Sequence, residues 1–111
     1  MNTITPMSAE EIADAELVAS SREGDRAAFG QIVQRHQTLI CSVAYNATGQ
    51  QPQSEDLAQE TFLTAWRELR QLREPAKLRA WLCGIARNTI HNRFRRLQRQ
   101  ATQTYRFLND T

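Results

Sequence analysis

The chain has 111 residues, a hydrophobic fraction of 41%, a charged fraction of 23% and a formal net charge of +2. That length predicts one domain with a single modest core, and no apolar run approaches the roughly 20 residues that a bilayer-spanning helix needs. The N-terminal stretch MNTITPMSAEEIADAE has neither a basic start nor an apolar segment, which argues against a secretory leader and predicts a cytoplasmic protein with no membrane insertion.

Glycine and proline are few, at 4 and 3 residues. Apolar residues recur at helical spacing, and no period-two strand pattern is visible, so the chain reads as all-α. Residues 1–13 are expected to be a flexible N-terminus. Ser8 and Glu11 have the spacing of a capping box, and Asp14 offers a second start for a short helix ending near Arg22. Gly24 suits a left-handed helix end. Asp25 then caps a helix over about 26–48, whose stripe is Phe29, Ile32, Val33, Leu39, Ile40, Val43 and Ala44. His36 lies on its apolar side and reads as a satisfied core-edge histidine. Gly49 to Gln53, with Pro52, breaks this helix.

Ser54 is expected to cap the third helix, with Glu55 and Asp56 in its first turn, where the helix dipole favours acids. Its stripe is Leu57, Thr61, Phe62, Ala65, Trp66 and Leu69, ending near Leu72. A polar loop, residues 73–77, leads to a fourth helix over about 78–98, with Leu78, Leu82, Ile85, Ala86, Thr89, Ile90 and Leu97 as its apolar side. From Gln98 the period is lost, and residues 98–111 read as the start of a linker. The expected architecture is a compact bundle of three long helices plus a short N-terminal one, over residues 14–97. Cys41 and Cys83 have no CxxC spacing and read as buried free thiols.

Charge is strongly polarised along this chain. Residues 1–74 carry six basic and eleven acidic groups, a net −5, whereas residues 75–111 carry eight Lys or Arg and one acid, Asp110, a net +7. Arg87, His91 and Arg95 recur at i, i+4 and i+8 on the fourth helix, accompanied by Asn88 and Asn92. Guanidinium groups match phosphate with a planar fork, and asparagine can read or clamp a base edge. A solvated basic face usually includes acids for i, i+4 pairing; none occurs over residues 75–109, which favours a nucleic-acid surface. The loop 70–79 adds Arg70, Arg73, Lys77 and Arg79 around Pro75 and could form a basic pocket for an unpaired base, or could be an ordinary connection. Phe62 and Trp66 read as core. Trp81 falls one position off its stripe and could stack on a base or equally fill the edge of the core; Phe94, near the basic face, is open to the same two readings. Asp56, Gln59 and Glu60, at i, i+3 and i+4, fit either dipole compensation or an acidic strip for a basic partner. No nucleophile–base pair, glycine-rich phosphate loop or metal-ligand cluster is present, so no enzyme, metal or cofactor is expected.

The segment Asp56-Leu57-Ala58-Gln59-Glu60-Thr61-Phe62-Leu63-Thr64-Ala65-Trp66, followed by Trp81-Leu82-Cys83-Gly84-Ile85-Ala86-Arg87-Asn88-Thr89, resembles region two of bacterial RNA polymerase sigma factors of the extracytoplasmic-function (ECF) class. Gly24-Asp25-Arg26-Ala27-Ala28-Phe29 resembles the start of the same domain, and the likeness spans about residues 14–97. The resemblance implies that Asp56, Gln59 and Glu60 dock on the coiled coil of the beta-prime subunit of core RNA polymerase. It implies that the fourth helix recognises and helps melt the promoter minus-ten element, with Asn88 contacting the upstream part and Arg87, His91, Arg95 and Arg96 on the backbone. It further implies that the loop before this helix, matched in position by residues 70–78 with Leu72, Arg73 and Lys77, holds a base flipped out of the non-template strand. Leu72 stands where the family commonly has an aromatic, Trp81 is the main exposed aromatic candidate of the melting region, and Arg79 follows the loop. An anti-sigma factor is a further partner of the class. Sigma factors of this class also carry a region four, absent here, so the chain is expected to be a fragment. The runner-up is a helix-turn-helix regulator of duplex DNA, against which the five-residue polar loop lacks a tight glycine turn.

Overall fold

Ser8 and Glu11 form the expected capping box: the Glu11 amide donates to Ser8 Oγ at 3.1 Å, and the Ser8 amide donates to Glu11 Oε1 at 3.2 Å. The computed structural model, which describes residues 5–110, starts its first helix there. The helices are α1 (Ala9–Arg22), α2 (Arg26–Thr48), α3 (Gln51–Glu68) and α4 (Leu78–Asn109), with single 3-10 turns at Leu69–Gln71 and Pro75–Lys77. No strand occurs among the described residues, and the all-α reading holds. Gly24, at φ 97°, carries the chain out of α1. Asp25 accepts from the Ala28 amide at 3.1 Å and opens α2. Gly49, at φ 68°, closes α2 in the left-handed conformation that glycine adopts without a Cβ clash.

Several sequence expectations on helix boundaries need correction, and residues 9–13, expected to be flexible, belong to α1. α3 starts at Gln51, not after Ser54, because Pro52 lies in its first turn, where a missing amide costs nothing. Ser54 is buried, and its hydroxyl donates back to the Gln51 carbonyl at 2.7 Å. The first turn of α3 therefore holds no acid, and Glu55 and Asp56 lie beyond the reach of the terminal dipole. α4, for its part, does not stop near residue 98 but continues to Asn109 for a total of 32 residues. Residues 98–109 contain neither glycine nor proline, so nothing terminates the helix when its hydrophobic phase fades. These residues are exposed, and the molecule is 68 Å long in consequence.

The core sits where the bundle helices converge. Val18 of α1, Ile32 and Ile40 of α2, Ala58, Phe62 and Ala65 of α3, and Leu78, Leu82 and Ala86 of α4 pack with Leu69 and Leu72. Ala44, Leu57 and Ile90 form a smaller cluster beside it. Each fully buried Leu or Ile contributes about 1.5–3 kcal/mol. Phe29 and Trp66 stack obliquely, with ring centroids 4.9 Å apart. Leu97, assigned to the apolar side of α4, is 53% exposed because the bundle ends before it.

α1 is fastened to α2 by a charge cluster. Asp14 is no helix cap; it is 3% exposed, and its Oδ1 lies 3.0 Å from both Arg35 Nε and His36 Nε2. His36 is buried and partnered, as its place on α2 suggested. Cys41 and Cys83 are free thiols, half-buried in place of the full burial expected. Burial pushes the Cys41 thiol above its ordinary value, and the nearby Glu55 adds to the effect.

Candidate nucleic-acid interface

α4 carries seven arginines and no Asp or Glu. Its outer face is the one turned away from Leu78, Leu82, Ala86 and Ile90, and with 3.6 residues per turn it collects Arg87, Asn88, His91 and Arg95. All four are exposed, as are Asn92 and Arg96. The arrangement offers guanidinium forks and amide groups along one rigid edge, which suits a phosphate backbone with base edges beside it. Arg93 is not part of this edge. Its guanidinium donates to Glu60 Oε2 at 2.7 Å and joins α4 to α3.

The connection between α3 and α4 leads into the N-terminal end of α4 and packs against α1. Arg73 and Arg79 are exposed. Lys77 is largely exposed and lies 3.7 Å from Glu11 Oε2. Trp81 is half-buried against the edge of the core, as its offset from the stripe suggested. Leu72 departs from expectation: it is 4% exposed and packs in the core, so its side chain is no surface platform for a base. The short connection must close over the bundle, and the apolar Leu72 is drawn under it.

The acidic strip lies on α3, with Asp56 and Gln59 exposed and Glu60 half-buried beside Arg93. Gln59 also borders a groove of about 1150 Å³ between α2 and α3, whose apolar lining includes Phe29, Val33, Tyr45, Leu63 and Trp66. Tyr45 and Leu63 are 47% and 56% exposed. Among the described residues, no group of three or more His, Cys, Asp or Glu converges as a metal site requires, and no helix is long and apolar enough to cross a membrane.

Sequence reasoning missed Arg22. Its guanidinium donates through Nε and one terminal nitrogen to the Leu69 carbonyl, at 3.2 and 3.1 Å, and the same nitrogen also donates to the Leu72 carbonyl. Arg22 entered the sequence reading only as the end of the first helix, and nothing local points across 47 residues.

Comparison with known proteins agrees with this geometry. Residues 32–100 match the family described as Sigma-70 region 2. The chain is 34% identical over 90 residues to the RNA polymerase sigma factor CnrH of Cupriavidus metallidurans, covering 79% of this chain and 47% of that protein. It is 32% identical over 87 residues to the sigma factor NccH of Alcaligenes xylosoxydans xylosoxydans, covering 77% and 47%. It is 35% identical over 85 residues to the ECF RNA polymerase sigma-E factor of Salmonella typhimurium, covering 75% and 43%. The chain thus spans less than half the length of these relatives. The match runs from α2 through the exposed arginine edge of α4, with the paired motifs of α3 and α4 inside it, and the chain belongs to the Sigma-70 region 2 family.

Proposed function

We propose that this chain is the promoter-opening domain of an ECF sigma factor, binding core RNA polymerase through α3 and the minus-ten element through α4. The observation that carries the reading is the acid-free, exposed edge of α4, set on a bundle of this family. In this reading Asn88 contacts the upstream part of the element, and Arg87, His91, Arg95 and Arg96 hold the backbone of the non-template strand. Arg73, Lys77, Arg79 and Trp81 surround a base withdrawn from the stack. Leu72 contributes only as a buried anchor of that loop. Flipping a base costs a few kcal/mol, least in a strand already single, and phosphate contacts offset it.

Asp56, Gln59 and Glu60 form the dock for the beta-prime coiled coil. Dipole compensation does not account for Asp56, since the first turn of α3 carries no acid, which leaves a basic partner as its better explanation. The domain spans residues 14–97, and an anti-sigma protein is a further partner of the same surfaces. Transcription initiation by the whole factor, in the cytoplasm and without catalysis by this chain, follows from the same reading.

The test is a fluorescence-anisotropy titration of this chain with minus-ten single strands and scrambled strands at stated salt. A clear preference for one minus-ten sequence is expected. Equal affinity for scrambled strands sinks the specific-reader proposal, and a preference for duplex over single strand favours a helix-turn-helix type of regulator.

A further inference from the structure

α1 carries none of the proposed DNA or polymerase contacts and precedes the segment matched to the family, which starts at residue 32. Nevertheless α1 reaches the loop between α3 and α4 at three points. The half-buried Arg22 guanidinium spans the Leu69 and Leu72 carbonyls. The Arg22 carbonyl accepts from the Arg70 guanidinium at 3.5 Å. Glu11 holds Lys77 at 3.7 Å.

The first contact matters most. No left-handed glycine follows α3; the chain turns through Leu69–Gln71, where the Leu72 amide donates to the Leu69 carbonyl at 3.3 Å. The planar fork of Arg22 adds a second donor to that carbonyl and ties it to the Leu72 carbonyl from across the bundle. Leu72 is pulled into the core from below, while its carbonyl is held from the side. Arg73, next in the chain, is exposed. The backbone that presents Arg73 is thus fixed by a residue that itself faces no DNA.

We infer that Arg22 is a positioning residue for base capture, and that α1 is the brace that sets the shape of the loop 69–77. The inference rests on the proposed role of that loop. A base pocket discriminates only if its walls are held before the base arrives. An unbraced loop must lose its freedom on binding, and fixing about one residue's backbone corresponds to roughly a tenfold loss. Only contacts that depend on loop shape suffer; the arginines of α4 stay in place and hold phosphate as before.

Arg22→Lys separates these effects, because it keeps the charge but cannot span two carbonyls with a planar fork. Arg22→Gln removes the charge as well. Amide hydrogen exchange of the free proteins reports the brace, with faster exchange in 69–77 and unchanged protection in α2 and α3. Titration with minus-ten and scrambled strands reports the consequence, with 2-aminopurine at the flipped position. For Arg22→Lys, affinity for scrambled strands should stay within about twofold, while preference for the minus-ten strand falls about tenfold and the 2-aminopurine signal weakens. Unchanged loop exchange overturns the inference, as does faster exchange with preference intact. A wild-type protein without preference overturns the base-capture reading, and the specificity role with it, whatever the exchange data show.

Discussion

Replacing Asp14 by alanine should cost about 3 kcal/mol of folding free energy. Asp14 is 3% exposed, and its Oδ1 is 3.0 Å from both Arg35 Nε and His36 Nε2. The Arg35 side chain is 34% exposed, so water replaces much of what it loses, and its share is at most about 1 kcal/mol. His36 is 7% exposed and faces Asp14 from within the bundle. Leaving its ring nitrogen unpartnered costs about 1–3 kcal/mol, and the packing lost with the side chain adds to that. Against a total stability of about 5–15 kcal/mol, the loss is large, and it shifts Tm by at least about 10 °C in a domain of this size. Thermal unfolding followed by circular dichroism measures it, and exchange of α1 amides shows where the structure opens. Asp14→Asn keeps one acceptor and should cost less than alanine. A loss under about 1 kcal/mol for Asp14→Ala would mean that α1 is held by Val18 and its apolar neighbours alone, and the charge cluster would be incidental.

Three further outcomes follow from the same contacts. Reversing charge with Asp56→Arg and Glu60→Arg should abolish binding to a beta-prime coiled-coil fragment and spare single-strand binding; the lost Glu60–Arg93 pair, partly exposed on both sides, costs about 1 kcal/mol or less, and a surviving pull-down refutes the dock. Arg87→Gln with Arg95→Gln should reduce the salt slope of single-strand affinity by about 1.4, two phosphate contacts at about 0.7 each, read from titrations at several salt concentrations. The Glu11 carboxyl is held below its ordinary value of 4.5 by its hydrogen bonds to Ser8, with Lys77 assisting. A lowered folded-state value means that the capping contribution is present above the ordinary value and is lost as pH falls through the lowered one; amide exchange in the first turn of α1 should therefore rise only below about pH 4.5 and should lose that dependence in Glu11→Gln.

Several local signals, whose determining contacts span a few residues, were read correctly. Ser8 with Glu11, Gly24, Asp25 and Gly49 all do what their chemistry suggests within one turn. Pro52 misled because proline signals both a break and a beginning, and only the backbone before it decides between them. The hydrophobic phase of α4 does not mark its end, because helix formers persist past the bundle. The long-range contacts could not be read at all. Asp14 and His36 are 22 residues apart, Glu60 and Arg93 are 33 apart, and Arg22 and Leu72 are 50 apart. No propensity or spacing encodes a pairing that arises only when three helices have already packed. The candidate DNA edge was legible because a continuous acid-free helix face is itself a one-dimensional pattern. The place of the candidate base loop was legible too, but its shape was not, because that depends on Leu72 going inward and on Arg22 arriving from α1.

The length of α4 has a mechanical consequence. At about 1.5 Å per residue, the segment from Asn88 to Asn109 is a rod of roughly 30 Å, and it contains no glycine or proline at which to bend. Arg95, Arg99 and Arg106 line its side. A torque applied near Asn109 therefore arrives at Asn88 undamped by any hinge, and a rotation of Asn88 against a base swings the far end by the same angle. The helix proposed to meet DNA is in that reading also a lever arm, and a rigid probe fixed near its end would report engagement of the promoter as a change in orientation.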